Sequence, residues 1–178
     1  MKTFIMNDKN IPAVAKLMEA IKPEWWSYEG ALKQLSDARN NIGWLIGDDE
    51  HNPKGWLLCS DDDYALFLNL ECMGFDDAGS FSTGEQLQAL FEKAEAYARS
   101  KKYPVLRYMI GTSEMSSFQK QELSEYWRQA LDEIKSIDVS TDDFLFKFGF
   151  RPTGFIPNCY GDGHHAVILI KTLRRITQ

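Results

Sequence analysis

The chain has 178 residues, a formal net charge of −6 and 13% aromatic residues. That length suits one domain, 1–178, with a sizeable core, and the acidic balance argues against a nucleic-acid surface, which needs clustered Lys and Arg. No apolar run reaches the roughly 20 residues that span a bilayer, and MKTFIMNDKN lacks a signal-peptide core, so a cytoplasmic protein without a membrane partner is expected.

In chain order, KTFIM predicts a strand at about 2–6. Asn7 or Asp8 can cap a helix after it. Ile11, Val14, Leu17, Met18 and Ile21 then recur at helical spacing, and Pro23 ends that helix. A second helix is expected over 28–39, with Leu32 and Leu35 inward. NIGWLIGDD, KGWLLCSD and YALFLNLECM follow as three strands joined by the turn-like DDEHNP and DDD. They predict an antiparallel meander, with Asp61, Asp62 and Asp63 as a solvated turn.

Leu87, Leu90, Phe91, Ala94 and Ala98 mark one face of a long helix over 84–101. YPVLRYMI predicts a strand at 103–110. Leu123, Tyr126, Trp127, Ala130, Leu131, Ile134 and Ile137 predict an amphipathic helix over 117–137. A further helix at 141–148 stops at Gly149, and strands at 151–157 and 165–172 close the chain. The order βααβββαβααββ defines a mixed α/β (α+β) domain around one sheet.

Three cysteines, Cys59, Cys72 and Cys159, lie far apart with no CxxC. They are expected to be reduced, the first two inside strands, with no zinc site and no other metal. His164 and His165 are adjacent at the start of a strand and therefore point to opposite faces. A shared metal is not expected, and a solvated turn is.

The segment FLFKFGFRPTGFIPNCYGDGHHAVILIKTL (144–173) carries a more specific pattern. Phe148-Gly149-Phe150, Gly154, Tyr160, Asp162 and Ala166 resemble the C-terminal end of the GNAT acyltransferase superfamily, and the element order fits that fold over nearly the whole chain. The resemblance implies a mixed sheet of six to seven strands flanked by helices, with 117–137 as an extra helix. That helix could cap a cleft or form a homodimer contact. The last two strands would close the core, wall the acceptor site, or both.

The resemblance also implies an activity: transfer of an acyl group, acetyl first, from acetyl-CoA or another acyl-CoA to the amine of a small molecule or peptide. In that family, backbone N–H groups at a helix N-terminus hold the pyrophosphate, in a loop of the form Arg/Gln-x-x-Gly-x-Gly/Ala. Here the loop reads Phe81-Ser82-Thr83-Gly84-Glu85-Gln86, which departs from the pattern in either register. The implied cofactor residues are Cys72 and Met73 on the fourth strand and Ser82, Thr83, Gly84 and Glu85 at the helix start. A catalytically degenerate relative that only binds a ligand or partner is the alternative.

Alternation along the fourth strand puts Phe67, Asn69, Glu71 and Met73 on one face. Glu71 is either a general base, made more basic by burial, or the partner of a Lys or Arg at the sheet edge. The family's general-acid Tyr is absent at 144–146, which leaves Tyr160 and Tyr108 as acid candidates or packing residues. Trp25, Trp26 and Tyr28, in KPEWWSYEG, either line the acceptor pocket or plug the core.

Overall fold

The structure is a computed structural model that describes residues 1–37, 41–61, 66–76, 83–111, 129, 132, 144–161 and 163–173. The chain is mixed α/β, with a seven-stranded sheet and flanking helices. It divides into two compact units, Met1–Tyr103 and Pro104–Gln178.

The first unit runs β1 (Lys2–Ile5), α1 (Ile11–Ile21), α2 (Tyr28–Ser36), β2 (Asn41–Gly47), β3 (Pro53–Asp61), β4 (Phe67–Phe75) and α3 (Thr83–Ser100). Its strands lie in the order β1-β2-β3-β4, each pair antiparallel, so the expected meander is present and β1 extends it. β2 and β3 read as continuous apolar runs because both faces are covered. Leu45, Trp56 and Leu58 pack under Val14, Ala15 and Met18 of α1 and Ala31 and Leu35 of α2. α3 contacts β2, β3 and β4. It buries Leu87, Leu90, Phe91, Ala94 and Ala98, the face its periodicity predicts.

One local expectation is corrected and another refined. The N-cap of α1 is Asn10, not Asn7 or Asp8. Asn7 instead folds the approach to the helix: its N–H donates to Asn10 Oδ1 (2.9 Å), and its own Oδ1 accepts from the Lys9 N–H (2.9 Å). Leu32 does pack against the core beside Leu35, but it is half-buried and Ala31 is the more deeply buried neighbour.

The second unit holds β5 (Val105–Gly111), α4 (Phe144–Lys147), β6 (Arg151–Ile156) and β7 (Ala166–Thr172), with strand order β5-β7-β6, antiparallel throughout. α4 ends as its sequence predicts. Gly149 takes φ +88°, and the N–H groups of Gly149 and Phe150 reach the Phe146 and Leu145 carbonyls at 3.0 and 3.1 Å. Phe150 is thereby delivered into the core, fully buried. The expected helix over 117–137 lies outside the described residues, except that Gln129 and Asp132 are helical and exposed.

Candidate functional site

β4 is regular until Glu71. Pairing with β3 passes from Cys59↔Leu70 to Leu58↔Cys72, so Glu71 has no opposite residue and sits at a bulge. A bulge re-aims one side chain and interrupts the ladder. Glu71 is exposed as a result. The burial expected of it is therefore absent, and among the described residues no Lys or Arg salt-bridges it. Two neutral donors hold it instead: Ser60 Oγ–H, on β3, and Asn69 Nδ2–H (2.6 Å), two residues back on β4. Both donate to Oε1. Among the described residues Oε2 has no hydrogen-bond partner.

Glu71 lines a cavity of ≈ 380 Å³ with Leu58 of β3 and with Gly30, Lys33, Gln34 and Asp37. The last four recur at spacings of three and four, one stripe along α2 and its end. Ala31 and Leu35 are buried in the core on another face of α2, which turns this stripe toward the cavity. Ser27 fixes where the helix starts, its Oγ accepting from the Gly30 N–H at 3.1 Å. The wall carries two carboxyl groups and one ammonium, a balance that favours a cationic ligand.

The three aromatics before and within α2 separate. Trp25 is 55% exposed, with the Lys22 ammonium 4.8 Å over its ring. Trp26 and Tyr28 are half-buried and pack on the α1–α2 core. The Tyr28 N–H also donates to Glu19 Oε1 at 3.0 Å.

Of the implied cofactor residues, Ser82 lies outside the described set and Thr83 opens α3. Gly84 is exposed, and a Cβ there would meet nothing within 4 Å. Glu85 is exposed in the first turn, where its charge complements the helix dipole. Cys72 and Met73 are half-buried. Burial pushes the Cys72 thiol up to about 11 and the Cys59 thiol well above its ordinary value, so both stay protonated and neither is a thiolate nucleophile near neutral pH. Tyr160 is half exposed in the turn before β7, its N–H donating to the His164 carbonyl at 3.0 Å. Tyr108 is buried on β5.

Two expectations about turns are overturned. Asp61 is buried and accepts from the hydroxyls of Tyr97 and Tyr103, with Lys101 Nζ at 3.3 Å; Asp62 and Asp63 lie outside the described residues. His165 is also buried rather than solvated. Its Nδ1 accepts from the Asn158 N–H (3.1 Å), and its ring lies 4.9 Å from that of Phe155, while His164 is exposed. The sequence reading missed Ser60, Lys33 and Asp37 altogether. Asn69 carried a signal: it is the one polar residue in LFLNL, two before Glu71 and so on the same face of a regular strand.

Solved structures share this fold over the full chain. An aminoglycoside 6'-N-acetyltransferase from Enterococcus faecium is 14% identical, with 98% of this chain and 99% of that one covered and a TM-score of 0.73. An aminoglycoside 6'-N-acetyltransferase complexed with coenzyme A is 13% identical over 98% and 99%, with a TM-score of 0.74. A protein of the GNAT family from Desulfovibrio desulfuricans is 12% identical over 96% and 99%, with a TM-score of 0.66. The fold is that of the GNAT acetyltransferases. No family model matches the chain, and no curated protein matches it.

Proposed function

We propose that this chain is an N-acyltransferase that moves an acyl group, acetyl first, from acyl-CoA to the amine of a small molecule or peptide. The observation that carries the reading is Glu71: a carboxylate on a strand bulge, one oxygen held by two donors and the other with no hydrogen-bond partner among the described residues, beside a cavity of ≈ 380 Å³. The shared fold supports it, since N-acetyltransferases of known structure have it and one of them holds coenzyme A.

An ammonium must lose a proton before its nitrogen can attack. In this reading Glu71 takes that proton, at Oε2. Ser60 and Asn69 fix the carboxylate so that it does not reorganise during the transfer. Asp37 adds a second negative charge to the wall and favours an acceptor with more than one positive charge. Trp25, exposed near the start of α2, carries the Lys22 ammonium over its ring, so a cationic acceptor would have to displace Lys22 or use the ring's other face.

Cys72, Met73, Thr83, Gly84 and Glu85, with Ser82, are the residues that would hold the acyl-CoA, Glu85 through its backbone N–H alone. An exposed Gly84 with no neighbour within 4 Å of its Cβ position is compatible with a ligand at the start of α3. When bound, the acyl-CoA supplies the thioester carbonyl to which the amine nitrogen bonds as the carbon–sulfur bond breaks and the thiolate leaves. Tyr160 is the candidate donor of the thiolate's proton, and the second proton that the nitrogen sheds on becoming an amide replaces it. One observation favours a second reading, a protein that binds a ligand or partner without transfer: the Glu85 carboxylate occupies the helix end where a pyrophosphate would lie, and the two repel.

Calorimetric titration with acetyl-CoA and with free CoA separates the readings. Micromolar binding that is lost in Gly84→Trp supports the enzyme and calls for an amine screen. Absence of binding up to about 1 mM ligand overturns it in favour of the second reading.

A further inference from the structure

A second cavity of the first unit, ≈ 480 Å³, has the opposite electrostatic character. Lys9 and Lys16 line it from α1 and its approach, and His51 and Lys54 line it from the β2–β3 connection and the start of β3. One lining carboxylate, Asp76, lies 3.4 Å from Lys54, and His51 is met from its own turn by Glu50, 3.7 Å from its Nε2, so Lys9 and Lys16 carry the positive character of the groove. Among the described residues no carboxylate salt-bridges Lys9 or Lys16. The chain as a whole is acidic, at −6, so ammonium groups sharing one groove are a local reversal of its charge. Like charges along one wall repel and focus a positive potential into the space between them.

The α1 wall is also apolar. Pro12, Ala13 and Leu17 lie between and beside the two lysines, so α1, with Lys16 on it and Lys9 in the turn before its N-cap, brings two cations and a hydrocarbon surface together. The volume falls in the range of small-molecule sites. Lysine binds phosphate as a mobile point charge and needs no rigid fork geometry.

We propose that this groove is a binding site for a small organic anion, a phosphate-bearing molecule with a flat or apolar body. The phosphate would lie between Lys9 and Lys16, with His51 or Lys54 on the far side, and the body on Pro12 and Leu17. The site contains none of the residues assigned above to the amine or to acyl-CoA, so it stands or falls apart from that assignment.

The test is amide chemical-shift mapping of the full chain with three probes: inorganic phosphate, AMP, and vesicles of phosphatidylglycerol. The expected result is saturable shifts with AMP, centred on Lys9–Leu17 and His51–Lys54, at least about fivefold tighter than with phosphate because the ring adds apolar contact. Lys9→Glu with Lys16→Glu should abolish them while the remaining spectrum stays folded. Lys9→Gln with Lys16→Gln, a milder change, should weaken them at least about tenfold. Shifts that are absent up to about 10 mM AMP, that survive both double variants, or that map to α3 overturn the proposal. Saturation of the same amides by vesicles but not by AMP also overturns it and makes the groove a lipid-headgroup surface.

Discussion

Two carboxylates ten positions apart, Asp61 and Glu71, are held in opposite ways. Asp61, the last residue of β3, is buried, and both of its oxygens accept: Oδ1 from Tyr103, Oδ2 from Tyr97, with Lys101 beside Oδ2. Glu71, at the bulge of β4, is exposed and commits Oε1 alone. A carboxylate with every acceptor used is a structural staple, because removing any partner leaves a costly unsatisfied group. A carboxylate with one oxygen fixed and one open is oriented and still able to take a proton. Under the proposed function, the difference separates a residue that holds the fold from one that serves the reaction.

The largest effect that sharpens this contrast is on Glu71. Glu71→Gln keeps the shape and can still take part in hydrogen bonds, yet cannot accept the ammonium's proton. We expect the rate of acyl transfer to fall by about 10²–10⁴-fold, with urea unfolding unchanged within about 0.5 kcal/mol. A full rate in this variant would remove Glu71 as the base. Loss of stability would make it a staple like Asp61.

Asp61→Asn should do the converse. We expect a loss of about 2–4 kcal/mol in urea unfolding, with acyl-transfer rate per folded molecule unchanged. The pH dependence follows from the same contacts. Burial opposes the charge of Asp61, but the hydroxyls of Tyr103 and Tyr97 and the Lys101 ammonium outweigh it and hold the carboxyl below its ordinary value. The stability this contributes is present above the ordinary aspartate pKa of about 3.9 and is lost as pH falls through the lower folded value. At the other end, the hydrogen bond to Asp61 and then burial push the Tyr103 hydroxyl up to about 12. That contribution is present below the ordinary tyrosine pKa of about 10 and is lost as pH rises through about 12. Asp61→Asn should flatten both limbs of a stability–pH curve. A variant curve parallel to the wild type at both ends would show that the cluster does not couple to folding.

The same pair shows what the sequence made legible. Elements with strong periodicity could be read directly: the buried face of α3, the apolar runs of β2 and β3, and the stop at Gly149, where φ +88° suits a residue without a Cβ. Asp61 could not be read, because DDD looks like any solvated run and its partners Tyr97 and Tyr103 lie 36 and 42 residues away. Glu71 was picked out by its type and place, but its exposure depends on the register of β4 against β3, and a one-residue bulge has no local signature in LNLECM. His165 failed for a related reason: its acceptor role toward Asn158 exists only once the β6–β7 turn has closed. Local propensity is written in neighbouring residues, whereas burial of a polar group is decided by partners that the chain brings back from far away.

The smallest predicted effect bears on how firmly Glu71 is held. Ser60 and Asn69 face each other across β3 and β4 and both donate to the same oxygen. Removing one leaves the other in place, so Ser60→Ala should lower the turnover rate by only about threefold to tenfold and leave the acceptor's KM unchanged. Ser60→Thr, which restores a hydroxyl, should recover most of it. Ser60→Ala with Asn69→Ala removes both donors, and its loss should exceed the product of the two single losses, because neither single variant frees the carboxylate. Losses that simply multiply would mean that each donor acts alone. Glu71 would then be anchored in the way Asp61 is, contact by contact, rather than aimed by a pair.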